Sequence, residues 1–167
     1  MAERLTSGDE GLDLILGGGL PTGGINLIMG LPGSGKTILS QQFVFAGATE
    51  ERPAIYLSTV SEPFEKILRY AQTLSFFDRQ LIGRSVFYED LGAMAGGDGG
   101  LAAIVERIGT LIKERRPGII AIDSFKALAA GADAFLQKPF DPLELVSTVK
   151  DLLGASALVA RPAQEVR

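Results

Sequence analysis

The sequence predicts an α/β fold: a single three-layer domain with a mostly parallel five-stranded sheet covered by helices on both faces. Three observations carry that expectation. Short apolar runs alternate with longer stretches whose apolar residues recur at helical spacing. The first apolar run ends in a tight glycine-rich turn, after which the period changes at once to a helical one. The chain, 167 residues of 46% hydrophobic composition, is long enough for one proper core and too short for two ordinary domains.

Taken in order, residues 23–30 read as the first strand, followed by a loop and a helix through Ile38, Phe43 and Val44. Residues 54–58, Ala-Ile-Tyr-Leu-Ser, predict a second strand, and a helix follows over about 63–74. Residues 85–88 predict a third strand. The glycine-rich stretch 96–100 leads into Leu101, Ile104, Val105, Ile108, Leu111 and Ile112, whose three- and four-residue spacing predicts a helix with one buried face. Residues 118–122 form the fourth predicted strand, ending at Asp123. After it the rhythm tightens: residues 134–136 read as a fifth strand, with Lys138-Pro139 beyond its end. The last helix opens with Asp141 as N-cap, Pro142 at its first position and Glu144 three residues after the cap, and stops at Gly154. The domain is thus expected over 1–154, with 155–167 a frayed tail and no internal repeat.

Composition removes several chemistries. With no cysteine and no histidine, disulfides, thiol chemistry, imidazole catalysis and the usual zinc sites are excluded, and any metal must be hard and oxygen-bound. A formal charge of -4 supplies no basic footprint for general nucleic-acid binding. Lys113, Arg115 and Arg116 cluster at the end of the predicted 101–112 helix, where they read as a solvated last turn that complements the helix dipole. No apolar stretch is long enough for a membrane span and the start has no signal pattern, so a soluble, cytoplasmic protein is expected.

The most specific motif is Gly30-Leu31-Pro32-Gly33-Ser34-Gly35-Lys36-Thr37, a P-loop in the required strand-before, helix-after context. A phosphate chain brings several negative charges that must be held without steric obstruction. Glycines at 30, 33 and 35 let backbone N–H groups turn inward, and the following helix, with Ile38 in its first turn, adds its positive end. Lys36 then reaches the β- and γ-phosphates, and the Thr37 hydroxyl is placed to ligate Mg²⁺. Residues 30–38 are therefore the expected binding segment for ATP or ADP, within a P-loop NTPase-like domain. A second magnesium partner should be an acid at the end of a neighbouring parallel strand, and Asp123 meets that description, acting through a metal-bound water. Glu62, just beyond the second strand, has two readings. It positions or deprotonates an attacking water, or it sits in the first turn of its helix and interacts with the dipole.

The run from Thr6-Ser7-Gly8 and Gly11-Leu12-Asp13 through Ile15-Leu16-Gly17-Gly18-Gly19-Leu20-Pro21 to the P-loop resembles the KaiC family, ATPases of the RecA superfamily. Tyr56-Leu57-Ser58-Thr59-Val60-Ser61-Glu62-Pro63 and Ile122-Asp123-Ser124-Phe125-Lys126-Ala127-Leu128 continue the resemblance, which covers about residues 3–128. It implies binding of ATP and Mg²⁺, slow hydrolysis, autophosphorylation in some members and assembly as hexameric rings with nucleotide between subunits. The family often carries two adjacent glutamates after the second strand. Here Ser61 stands at the first position and Glu62 is the surviving acid, which the resemblance makes catalytic together with Lys36.

Residues 129–154 resemble something different, the closing strand and helix of a response-regulator receiver domain, whose Lys-Pro pair matches Lys138-Pro139. No receiver acid pair or phosphoacceptor strand precedes that segment, so Lys138 reads as a structural lysine. A KaiC-type domain should instead continue with a long helix, another core strand and the segment that supplies subunit-interface cations. The junction near residue 128 therefore suggests a chimera, and a homo-oligomer is expected to lack its usual interface segment. Residues 133–137 are expected to lie between the P-loop strand and the strand ending at Asp123, with the last helix over one face. Three functional readings follow: an ATP-binding domain with slow or negligible hydrolysis, a scaffold with inherited nucleotide binding, and a receiver-like signalling module.

Overall fold

The computed structural model describes residues 3–59, 64–95 and 100–123. It has an α/β architecture around a parallel sheet. The middle strand, β3 (Ala54–Ser58), lies between β4 (Val86–Asp90) and β5 (Ile119–Asp123), both parallel to it. Ala54 stands opposite Val86 and Ile119, and Ser58 stands opposite Asp90 and Asp123, so the three strands end together.

All five residues of β3 are buried, as a central parallel strand covered on both faces requires, and the first four are apolar or aromatic. Its alternation sorts them between two cores. Ala54 and Tyr56 pack with Val86 and with Val44 and Phe45 of α2 (Lys36–Gly47). Ile55 and Leu57 face the other way, against Leu91 and against Ile104, Ile108 and Leu111 of α5 (Gly100–Arg115). The three- and four-residue spacing of that last trio is the buried stripe anticipated from the sequence. One helix on each side of the sheet gives the three layers.

The chain leaves β3 through α3 (Phe64–Ala71) and enters β4, then returns through α4 (Gly92–Ala95) and α5 to β5 on the opposite side of β3. The helix expected over 63–74 ends at Ala71 and is followed by hydrogen-bonded turns from Tyr70 to Thr73 and from Ala71 to Leu74; residue 63 lies outside the described residues. The third strand begins one residue later than expected and runs on to Asp90. Arg115, expected to be simply solvated, lays its guanidinium over the ring of Phe87 at 3.7 Å from the centroid.

Three N-terminal elements are additional to the expected set: β1 (Arg4–Leu5), α1 (Glu10–Ile15) and β2 (Leu20–Pro21), with the two strands paired antiparallel. Asp9 caps α1 by accepting from the Leu12 amide at 2.7 Å. Arg4 ties the unit together, donating to the carbonyls of Leu16 and Gly19. Asp13 accepts from the Ser7 amide at 2.8 Å and from the Thr6 hydroxyl. Its carboxyl is held below the ordinary carboxylate value, first by the Thr6 hydroxyl and then by the Ser7 amide. The Thr6-Ser7 and Asp13 parts of the lead-in motif are thus one hydrogen-bonded unit.

The expected first strand is corrected. Residues 25–30 carry no ladder among the described residues, and Ile25, Leu27 and Met29 are 41%, 46% and 64% exposed. An apolar run becomes a strand only when a neighbour satisfies its N–H and C=O groups. The neighbour expected for it, residues 133–137, lies outside the described residues, as do Lys138, the last helix and the tail. Among the described residues the main sheet has three strands, and no helix is long and apolar enough to cross a membrane.

Candidate functional site

Residues 30–35 form a loop that delivers the chain into α2. Gly33 and Gly35 have φ of 77° and 84°, in the left-handed region that a side chain makes costly. Gly35 is the N-cap of α2 and provides no side-chain cap bond, so no side chain of the cap competes for the amides of the first turn. At Gly30 a Cβ would stand 2.5 Å from Ser34 Oγ, so a side chain there would require the serine hydroxyl to turn away. The Ser34 amide donates to Leu31 O at 3.1 Å, closing the turn. Lys36 folds back over it, with Nζ donating to Leu31 O at 2.7 Å and to Ser34 Oγ at 3.5 Å. Leu31 and Ile38 are exposed beside the loop.

One helical step further, Thr37 Oγ1 donates to Oδ2 of Asp123 at 2.6 Å. Asp123 is the last residue of β5, level with Ser58 of β3. The ladder continues to the sheet's carboxyl edge, where the Thr59 amide donates to Asp123 O at 2.8 Å and the Leu91 amide to Ser58 O at 2.7 Å. Ligands of open α/β sheets bind outside this edge. Lys36, Thr37 and Asp123 are therefore brought together with the glycine loop. Glu62 lies outside the described residues.

Asp123 has a third neighbour that the sequence reading missed. Tyr56 OH also donates to Oδ2, at 2.6 Å. Tyr56 is fully buried, and its ring lies 5.2 Å from that of Tyr88, whose hydroxyl donates to Oε1 of the buried Gln41 at 3.1 Å. Burial, followed by the hydrogen bond and charge of Asp123, pushes the Tyr56 hydroxyl well above the usual phenol range. Burial does the same to Tyr88. Both hydroxyls hold their protons at every ordinary pH and act as donors. Only the register between strands shows it: Tyr56 pairs with Ala121, and Asp123, two residues on, shares that face.

The groups present suit an anionic, metal-bound ligand. Backbone amides at a helix start and one ammonium answer phosphate oxygens. Magnesium takes oxygen donors and uses one or two carboxylates with phosphate oxygens and water, a demand that Thr37 and Asp123 meet in part. Among the described residues no three acidic side chains converge into a self-sufficient metal cage.

The family model described as "ATPase: KaiC" matches residues 5–159, running across the boundary at residue 128 expected from the sequence. A circadian clock oscillator protein KaiC of Prochlorococcus marinus (strain MIT 9313) is 28% identical over 164 residues, 94% of this chain and 32% of the relative. A circadian clock oscillator protein KaiC 1 of a Synechocystis species is 28% identical over 163 residues, 93% of this chain and 31% of the relative. A UPF0273 protein of Thermotoga maritima is 45% identical over 65 residues, 39% of this chain and 27% of the relative. The chain spans about a third of the length of the KaiC relatives it matches.

Proposed function

Since the chain belongs to the KaiC family of ATPases, we propose that it is a Mg·ATP-binding domain with slow hydrolysis. The observation that carries the reading is the Thr37 to Asp123 hydrogen bond of 2.6 Å beside a loop whose glycines adopt left-handed backbone. The amides of residues 33–37 receive the phosphates, and Lys36 exchanges Leu31 O for β- and γ-phosphate oxygens. Thr37 and Asp123 would hold a magnesium ion, Asp123 by way of water. When bound, the ion neutralises charge on the phosphate oxygens. Glu62 takes the proton of the attacking water as its oxygen bonds to the γ-phosphorus, and ADP leaves.

In P-loop enzymes cations supplied by a neighbouring protein contribute factors of roughly 10³ to 10⁵, so an isolated chain turns over slowly. The family match through residue 159 favours reading 129–154 as part of the same unit rather than a receiver graft. The net charge of -4 argues against nucleic acid as the partner.

Calorimetry and thermal shift with Mg·ATP test binding. Protein held at a hundred times its dissociation constant should gain about 2.7 kcal/mol of stability. Absence of both heat and shift at millimolar nucleotide would end the proposal. Phosphate release above background, abolished by Lys36→Ala, separates an enzyme from a scaffold that merely binds.

A further inference from the structure

We infer that Tyr56 is a positioning residue for Asp123, the carboxylate that would hold magnesium through water, its buried hydroxyl fixing the carboxylate oxygen that Thr37 also contacts. The inference rests on the Mg·ATP reading and adds to it a part that the P-loop and strand-end motifs do not contain.

Two hydroxyls converge on one oxygen. Thr37 and Tyr56 each donate to Asp123 Oδ2 at 2.6 Å. They differ in how firmly they are held. Thr37 begins a helix at the surface and must turn oxygen lone pairs toward a cation when it serves as ligand. Tyr56 sits in the middle of β3 with no exposed surface, packed with Val44 and Phe45 on one side and against the Tyr88 ring. A side chain so enclosed keeps one rotamer. Its hydroxyl is therefore a fixed point from which the carboxylate is oriented, whatever Thr37 does. Partners that orient metal ligands from behind are worth roughly ten- to hundredfold in metal affinity.

A plainer role competes with this one: a buried tyrosine hydroxyl needs an acceptor, and Asp123 supplies it. The two roles give different results when magnesium is titrated separately from nucleotide. In full-length protein saturated with ADP, Tyr56→Phe should weaken magnesium binding roughly ten- to hundredfold, while ADP affinity in EDTA stays at the wild-type value. Tyr88→Phe removes a partly buried hydroxyl that meets Gln41, and should leave magnesium affinity unchanged. Tyr56→Phe within twofold of wild type for magnesium, or losing as much ADP affinity in EDTA, would overturn the inference.

Should Tyr56→Phe fail to fold, the wild-type protein provides its own readout. It has 3 tyrosines and no tryptophan, so tyrosine fluorescence is directly visible. Magnesium added to the ADP complex should change that emission and saturate with the calorimetric heat; unchanged emission would count against Tyr56. Wild-type protein that binds no nucleotide overturns the Mg·ATP reading and this inference together. Wild-type protein that binds, with Tyr56→Phe matching it, overturns the inference alone.

Discussion

Thr37 and Asp123, 86 positions apart in the chain, share a hydrogen bond of 2.6 Å that ties the start of α2 to the end of β5. Removing the hydroxyl by Thr37→Ala should therefore act through the metal. Nucleotide affinity in magnesium should fall by about tenfold or more, in line with about 1.5–3 kcal/mol for hydrogen bonds to charged groups, whereas affinity in EDTA should hold. Thr37→Ser should restore most of the difference. The measurement is the ratio of the two dissociation constants, and an equal loss in both buffers would contradict the metal role.

Lys36→Ala should weaken ATP binding with or without magnesium, because the ammonium meets ground-state phosphates. Glu62→Gln should leave binding near wild type and lower phosphate release. Parallel loss of affinity in both variants would show Glu62 to be misassigned.

Asp13 predicts a pH effect at the other end of the domain. Its carboxyl is depressed in the folded state relative to the ordinary value of 3.8. A depressed acid favours the folded state above the unfolded value, and that contribution is lost as pH falls through the folded one. The melting temperature of Asp13→Asn should thus lie below wild type at neutral pH. The gap should narrow once pH drops below 3.8. A gap independent of pH would mean that ionisation plays no part in holding the Thr6 and Ser7 contacts.

Ile104 is 1% exposed in the core beneath α5. Ile104→Ala should cost about 2–5 kcal/mol in urea denaturation and Ile104→Val about 0.5–1.5 kcal/mol. Because this core lies on the face away from Thr37 and Tyr56, nucleotide affinity of the folded Val variant should be unchanged.

The sheet strands were legible where burial is two-sided. Residues 54–57 and 119–122 are apolar or aromatic runs that end in the polar Ser58 and Asp123, and Ile104, Ile108 and Leu111 repeat at the spacing one helix face requires. Residues 25–30 looked equally apolar yet form no ladder among the described residues, since composition does not say who the neighbour is. The β1 and β2 pair escaped notice because two-residue strands leave no period to read; Arg4 and backbone pairing hold them. Helix α1 did have a signal in Asp9, three residues before Leu12. The loop, Lys36, Thr37 and Asp123 were readable from motif and strand end. Tyr56 was not, because its role depends on register between strands far apart in sequence.

The placement of β3 between β4 and β5 governs the order in which the protein can mature. Pairing β3 with β5 spans about twice the sequence separation of pairing it with β4, so the second seam closes against the greater loop entropy. As synthesis runs from the N-terminus, Thr37 emerges early and waits for Asp123. A nascent chain that stops short of β5 exposes one edge of a strand that is buried throughout in the folded protein, a template for pairing with other chains. On the Mg·ATP reading, competence to hold magnesium arrives with the strand that also seals that edge, and the same hydrogen bond marks both events.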